Sequence, residues 1–487
     1  MNFPRIHRFV SGPPARKAGR RARALACGVW LLTLFTVPLT ASAQWPVLYE
    51  QLHASLGGSN DFEFLFDGVI EGSDGRLYGA GVNGGSADDG GMIFSMNKDG
   101  SGYTNLHSFM LSTNDGLSPW GGVIEASDGK LYGATRAGGT NGNGTIFRLN
   151  PDGSDFTLLY CFDTNLNNGA FPLNSVIEGS DGKLYGRTCS GGTSNANTIF
   201  RLNKDGSDYE MLHSFTVNLL YGGDAFSGLI EGSDGKLYGT TFYEGAIGRG
   251  SVFRMNKDGS GFETLHSFLD NATDGGFPFG PVWESNDGVL YGSTSEGGPA
   301  DDGTLFKMNR DGSGYQVLQT FNSVNGLGYL PVAPPVEGPG GLLYGTTYYS
   351  GINQTGTIYQ MRKDGGDFQF LYEFQNNGTD GTEPNGPLLH ASDGALYGTT
   401  FYGSGLVYGS IFRIKPIALT AENSTNGFAV HCDGFVGHQY EIQSTDASLT
   451  NWSPVATVTN LTGTVDWYDP GNYTNSCQFF RARILNP

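Results

Sequence analysis

The chain reads as an all-β protein: a seven-bladed β-propeller closed by its N-terminal strand, followed by a small immunoglobulin-like β-sandwich. Three observations predict this. Leu-Tyr-Gly occurs seven times, at Leu77, Leu131, Leu184, Leu237, Leu290, Leu343 and Leu396, in steps of 54, 53, 53, 53, 53 and 53 residues. A strand-built unit of that length cannot bury its own apolar face, so neighbours must stack. Each unit divides into four short apolar runs separated by Asp-Gly turns, which supply the positive φ of tight hairpins. The two ends of the array are complementary: the seventh unit stops after its third strand, and a lone fourth-strand sequence precedes the first unit. Composition agrees, since 77 glycines and 15% charged residues disfavour helical bundles and 13% aromatics disfavour disorder.

Taking the elements in order, residues 1–43 form a secretory signal peptide. Arg5, Arg8, Arg16, Lys17, Arg20, Arg21 and Arg23 precede an apolar run from Ala24 to Leu39, and Ala41-Ser42-Ala43 is a small-residue cleavage site. An uncleaved anchor is the alternative, but the run is short for a bilayer span. Those residues hold seven of the 28 Lys and Arg and none of the 47 Asp and Glu, so the remainder carries 21 against 47, a net charge of −26. Such a field repels phosphate backbones and anionic lipid, which argues against nucleic acid and against stable membrane insertion after cleavage. Glycans, cations or basic proteins suit it better.

Residues 45–415 form the propeller. In the copy beginning near Ser227, Gly-Leu-Ile-Glu is strand a, Lys-Leu-Tyr-Gly-Thr-Thr strand b, Ser251-Val-Phe-Arg-Met strand c, and Phe262-Glu-Thr-Leu-His-Ser-Phe strand d. Ser-Asp-Gly or a close variant joins a to b in six copies, and Asn-Lys-Asp-Gly-Ser or a near variant joins c to d. The last strand c is Ser410-Ile-Phe-Arg-Ile. Its missing partner is Val47-Leu-Tyr-Glu-Gln-Leu52, which resembles Phe370-Leu-Tyr-Glu-Phe374. Completing the last blade with this strand closes the ring and removes exposed sheet edges. The period stops at Pro416. Residues 417–487 alternate apolar and polar positions in short runs, which predicts the small sandwich. Cys432 and Cys477 both lie there, in an oxidising compartment, and are the expected disulfide, while Cys161 and Cys189 either pair or stay buried.

The order Leu-Tyr-Gly-Thr-Thr, glycine-rich loop, Gly-Thr-Ile-Phe-Arg-Leu, Asp-Gly turn, Leu-His-Ser-Phe resembles the tandem Gloeo/Verruco (GloVer) repeat from about residue 64 to 415. The resemblance implies an exported bacterial protein and no assigned biochemical activity. It also implies a C-terminal anchor in many members, but the residues up to Pro487 form no apolar helix or basic stop, so membrane or wall anchoring is not expected here.

In an up-and-down blade the a–b and c–d turns share one face, and the b–c and d–a loops share the other. The second pair varies between units, as functional loops on a rigid scaffold do. The b–c loops carry Arg136, Arg187, Phe242-Tyr243-Glu244, Glu296, Tyr348-Tyr349 and Phe401-Tyr402, and the d–a loops add Trp120, Phe171, Phe277, Phe279 and Tyr329. Aromatic faces beside charged groups suit sugars, and Arg136, Arg187, Tyr243, Glu244, Tyr348, Tyr349 and Tyr402 are the candidate ligand-binding residues. Packing of these rings between blades, or filling of the loops, is the simpler expectation.

Glutamates 71, 125, 178, 231, 284 and 337 close strand a, with His390 in the seventh unit. Lining a central channel, they would form a cation-binding ring; accepting hydrogen bonds from their own Gly-Ser-Asp-Gly turns is the simpler expectation. The aspartates of the c–d turns lack the alternating ligands of a calcium loop and read as turn formers. His107, His213 and His266 recur at one place in strand d, with Cys161 and Tyr372 read as equivalents, and a residue found once per blade is a packing element. The chain shows no Gly-x-Ser-x-Gly with a triad context, no His-Glu-x-x-His and no Walker loop. Glycine-rich Gly138-Gly-Thr-Asn-Gly-Asn-Gly joins two strands, not a strand and a helix, so no phosphate cradle is expected. The sequence therefore predicts a monomeric, exported, non-catalytic scaffold for a glycan or protein, with no cofactor, no metal and no catalytic residue. A polysaccharide-active enzyme using Glu244 or Glu296, and a structural envelope or matrix component, are the alternatives.

Overall fold

The computed structural model describes residues from Val47 to Asn486 except for several loop segments, the longest being 217–226, 446–452 and 470–478. Among the described residues there are strands and three short 3₁₀ turns but no α-helix, and no helix is long and apolar enough to cross a membrane.

Blade 4 shows how one unit forms. Strands a (Leu229–Glu231), b (Leu237–Thr241), c (Ser251–Met255) and d (Glu263–Ser267) pair antiparallel in that order. Strand b is buried throughout and strand c everywhere except Arg254, because both faces of these inner strands meet a neighbouring blade. The Gly of Leu-Tyr-Gly is needed for close approach. A Cβ on Gly239 would stand 2.7 Å from the tip of the Phe253 ring lying across it, and the same Gly–Phe contact recurs at Gly79, Gly133, Gly186, Gly292 and Gly398, with Tyr359 as the ring over Gly345. The Tyr caps the a–b turn: Tyr238 donates to Asp234 at 2.9 Å, and Tyr78, Tyr132, Tyr185 and Tyr397 do the same to their own Asp.

Seven such sheets form a seven-bladed β-propeller. Each of the seven seams between blades holds one apolar cluster, so burial is shared between neighbours, not confined to a unit. The seam between last and first blades is filled like the rest, by Tyr397 and Ile411 against Leu77, Phe94 and Met96. Val47–Ala54 pairs antiparallel with Ser410–Pro416, placing Tyr49 opposite Ile414 and Gln51 opposite Phe412.

After Pro416 come two three-stranded antiparallel sheets. One orders Leu419–Ser424, Gly427–Asp433 and Thr464–Asp469, and the other Ser453–Thr459, Gln439–Thr445 and Phe479–Asn486. Ala456, Val458 and Trp467 from these sheets pack against the apolar cluster between blades 7 and 1. Cys477 lies outside the described residues, and the expected bridge to Cys432 with it. Cys161 and Cys189 are partly buried and are not paired with each other.

The structure corrects two sequence expectations. Register places Tyr160, not Cys161, at the position of His107, since Tyr160 faces Ile146 as His107 faces Ile93. His53 also belongs to this set, facing Ile411. The strand-a glutamates do not bond their own turns. Glu231 accepts from Ser180 N at 2.6 Å and Ser180 Oγ at 2.7 Å, which belong to the turn of the preceding blade. A carboxylate closing strand a points across the seam, where its neighbour's turn offers an N–H and a hydroxyl together.

Candidate functional site

On the loop face the backbone is far more regular than the sequence suggests. Phe64, Ser118, Phe171, Phe277, Leu330 and Glu383 occupy one position in six of the d–a loops, each with φ between 56° and 61°. The N–H of this residue donates to the b–c loop of the preceding blade, as from Phe277 to Arg249 O at 2.8 Å, and its carbonyl accepts from the b–c loop of its own blade, as from Ser295 N at 3.0 Å. Every described d–a loop thus ties two blades together, while its side chain is free to differ. A left-handed conformation in non-glycine residues is strained, and it recurs here because two hydrogen bonds hold it.

Those side chains and their neighbours gather aromatic groups into three patches. Across blades 7, 1 and 2, Phe64 stacks on Phe401 at 5.0 Å and meets Tyr402 edge-on at 5.9 Å, Phe401 meets Phe66 at 4.8 Å, and Phe66 stacks on Trp120 at 4.4 Å. The Arg136 guanidinium covers Trp120 at 4.9 Å. Tyr402 is the most open of these rings, 42% exposed. In the second patch Phe242, Tyr243 and Phe277 form mutual contacts of 4.7 to 5.8 Å, with Arg249 over Phe277 at 4.9 Å. In the third, Tyr329 and Tyr349 lie 5.2 Å apart, Tyr348 packs edge-on against Tyr349, and Tyr348 donates to Glu383 at 2.5 Å. Burial pushes the Glu383 carboxyl up and the Tyr348 hydroxyl counters it.

The predicted residues therefore separate. Tyr348, Tyr349 and Tyr402 cluster about Glu383, whose charge acts on all three. Arg136 joins Trp120, and Tyr243 joins the second patch. Arg187 does not reach the surface: it is 2% exposed, between the rings of Phe215 and Phe253. Its Nη1 donates to Ser227 O, Ser227 Oγ and Thr240 O at 3.0, 2.9 and 2.7 Å, and burial pulls its pKa down to about 10. The position is that of Thr240 in the next blade, which caps Gly280 O across its seam at 2.9 Å. Arg187 performs the same capping with a longer side chain. Glu244 lies within its field, with a pKa raised by burial to about 7.

One constellation escaped the sequence reading. Carboxylate oxygens of Asp270, Glu296 and Asp301 lie within 4.8 Å of one another, with Arg249 Nε 3.3 Å from Asp270. Burial, then the charges of Asp270 and Asp301, push Glu296 up to about 6. Asp270 and Asp301 belong to different loops of blade 5, so only the ribbon pairing Gly275-Gly276 with Glu296-Gly297 brings them together. No short motif signals it.

On the opposite face the channel mouth opens into a cavity of about 930 Å³ lined by the a–b turns of blades 2 to 5, including Glu178, Glu231 and Glu284. Each of these glutamates is already neutralised by a cation: Lys204 at 2.6 Å, Lys257 at 2.7 Å and Arg310 at 3.7 Å. The strand-d histidines pack as expected. His107 bonds Asp115 at 3.0 Å and stacks on Phe156 of the next blade at 3.7 Å.

The Gloeobacter/Verrucomicrobia repeat model matches residues 33–230 and 225–466. The chain belongs to the Gloeobacter/Verrucomicrobia repeat family. No curated protein matches it. Among solved structures, it is similar to the extracellular domain of a provisionally assigned hybrid two-component system from B. thetaiotaomicron, at 12% identity and a TM-score of 0.48, over 81% of this chain and 45% of that one. It is also similar to a provisionally assigned 6-phosphogluconolactonase from Bacteroides fragilis, at 13% identity and 0.46, over 82% and 98%. The repeat chain spans about half the length of the B. thetaiotaomicron domain. Within this Gloeobacter/Verrucomicrobia repeat, the shared motif builds blades and seams, and the three patches are built from residues that differ between copies.

Proposed function

We propose that the protein is an exported, non-catalytic binding scaffold that engages a glycan or a protein through the b–c and d–a loop face. In this reading residues 1–43 are a signal peptide, the N-terminal strand closes the ring of residues 45–415, and residues 417–487 are a small sandwich-like domain carried by a monomer. The observation that carries the proposal is the aromatic shelf from Tyr402 through Phe64, Phe401 and Phe66 to Trp120 and Arg136, which crosses three blades and ends in an exposed ring. Apolar faces of sugars stack on such rings while flanking carboxylates and guanidinium groups take hydroxyls.

The test is a glycan-array assay on residues 44–487, with and without calcium, comparing the parent with Tyr402→Ala and Trp120→Ala. Selective binding that falls at least tenfold in both variants is the expected result. No selective binding in the parent, or binding unchanged in both variants, overturns the glycan reading. A second reading, a polysaccharide-active enzyme, is favoured by the Asp270–Glu296–Asp301 cluster, where burial and two neighbouring carboxylates raise the Glu296 carboxyl as a general acid requires. Release of reducing ends from a polysaccharide panel, abolished by Glu296→Gln, is its expected outcome.

A further inference from the structure

Four seams on the turn face share one arrangement built from a serine, a glutamate and a cation, and the blade 5–6 seam keeps the glutamate and the cation. The strand-a glutamate accepts from the serine of the preceding blade, and a lysine or arginine from the c–d turn of its own blade joins them. Lys98 reaches Glu71 at 2.5 Å and Ser392 Oγ at 2.8 Å. Lys204 reaches Glu178 at 2.6 Å and Ser127 Oγ at 2.9 Å. Lys257 reaches Glu231 at 2.7 Å and Ser180 Oγ at 2.6 Å. Arg310 bonds Ser233 Oγ at 2.7 Å beside Glu284, and Lys363 reaches Glu337 at 2.8 Å.

Glu125 departs from this pattern. It accepts from Ser73 N at 2.5 Å and Ser73 Oγ at 2.6 Å as the others do, but the residue at the lysine position is Pro151. The turn itself is unaltered: Asn150 N donates to Ser154 O at 2.8 Å and Gly153 N to Asn150 O at 2.9 Å, against 2.9 Å for both bonds in the Lys204 turn. Beside Pro151 lies a pocket of about 300 Å³ whose wall includes Leu106, Asp74 and Asp152. Arg76 is the cation in this wall, and its Nη2 is engaged by Ser95 Oγ at 2.8 Å and Gly102 O at 2.9 Å. A carboxylate and a hydroxyl that bind an ammonium elsewhere in the ring are thus held in the same geometry by the same backbone, and the pocket beside Pro151 reaches Asp74, the residue that follows Ser73.

We propose that the seam between blades 1 and 2 binds a primary ammonium group supplied from outside the chain, the side chain of a lysine on a partner protein, with its stem against Pro151 and Leu106 and its ammonium on Glu125 and Ser73. The acceptor set suits this chemistry because Glu125 is an acceptor only and Ser73 Oγ retains acceptor capacity after donating to Glu125, as at the three seams where a lysine fills the place. The strongly acidic mature chain steers a basic partner towards it. This site is on the face opposite the aromatic patches, so it stands or falls independently of the glycan reading.

The experiment is saturation-transfer NMR on residues 44–487 with Nα-acetyl-lysine N-methylamide, its Nε-acetylated form, and putrescine as a free diamine. The expected result is transfer to the lysine Cδ and Cε protons with a dissociation constant on the order of millimolar for so small a fragment, loss of that transfer on Nε-acetylation, and weakening in high salt. Pro151→Lys is the decisive variant. It recreates the turn sequence of 203–207, so it keeps the fold while its own ammonium occupies Glu125, and it lowers the transfer at least tenfold. Glu125→Gln gives the same loss from the other side of the contact. Equal binding by Pro151→Lys and the parent, or no transfer in the parent, overturns the proposal, and a stronger response to putrescine than to the lysine amide overturns its assignment to a protein side chain.

Discussion

Replacing Glu231 with glutamine tests whether the seams on the turn face hold the ring together. The side chain is 13% exposed and takes three short hydrogen bonds, from Ser180 N, Ser180 Oγ and Lys257 Nζ at 2.6, 2.7 and 2.7 Å. Bonds to a charged group contribute roughly 1.5–3 kcal/mol each, less near solvent, and glutamine retains one acceptor, so the net loss is about 2–3 kcal/mol. Glu125→Gln weakens the same pair of serine bonds but loses no ammonium, and its loss is about 1–2 kcal/mol. At roughly 2 cal/mol/K per residue, a propeller of this size converts these losses into falls in Tm of about 3 °C and 1–2 °C. Differential scanning calorimetry on both variants measures them. The pH dependence supplies a second check. Burial raises the carboxyls of Glu71, Glu178 and Glu231, but hydrogen bonds from lysine and serine outweigh it and hold all three below the ordinary value. A depressed folded pKa contributes stability that is present above the unfolded value and lost as pH falls through the folded one. Glu231→Gln therefore destabilises at neutral pH and converges on the parent in acid. Equal losses in the two variants, or a Glu231→Gln deficit that persists at low pH, would refute the seam argument.

Further outcomes follow from single contacts. Gly239→Ala drives a Cβ against the Phe253 ring and costs about 1–3 kcal/mol by urea unfolding, with Phe253→Leu in the same chain recovering part of it. Glu244→Gln leaves stability unchanged near pH 4 and exceeds the parent at pH 8, because a carboxyl raised to about 7 contributes stability below the unfolded pKa that is lost as pH rises through the folded one; thermal melts across that range read the difference. The seam between blades 6 and 7 carries a paired replacement, Pro339 for the serine and His390 for the glutamate. Pro339→Ser with His390→Glu restores a donor and its acceptor together, and a double-mutant cycle gives a favourable coupling of about 1 kcal/mol.

Much of this fold is legible in the sequence because each repeated residue has one local job. Leu-Tyr-Gly marks a buried strand, Asp-Gly a turn, and the interval between copies the blade. The strand-a glutamates show where local reading stops. Their repetition every 53 residues is visible, but the partner lies 51 residues back in the preceding unit, and only packing reveals it. Arg187 fails for a related reason. Sequence places it in a variable loop beside charged and aromatic residues, whereas register puts it in strand b with its side chain turned into the seam. The replacement of Pro339 and His390 in successive units was legible in principle. Proline offers neither N–H nor hydroxyl, so the carboxylate opposite has nothing to accept, and the glutamate is absent from the unit that follows.

The two faces divide the work of the molecule. On the turn face most seams repeat the same charged group, so a ligand there would meet a largely neutralised surface; the blade 1–2 seam keeps the glutamate and serine but has Pro151 for the lysine, and the blade 6–7 seam replaces the serine and the glutamate. On the loop face the hydrogen bonds are uniform and the side chains are not. The residue at the left-handed position can be Phe, Ser, Leu or Glu without disturbing the backbone, because its bonds use only main-chain atoms. Specificity can therefore change there at little cost to the ring. Exchanging Phe64 for the Ser of the equivalent position, Phe64→Ser, removes the centre of the shelf between Tyr402 and Phe401 while leaving both backbone bonds. Ligand binding should fall and Tm should hold within about 2 °C, a loss confined to half-buried ring packing. A large fall in Tm would instead mean that the rings brace the blades, and the patches would belong to the scaffold and not to a binding face.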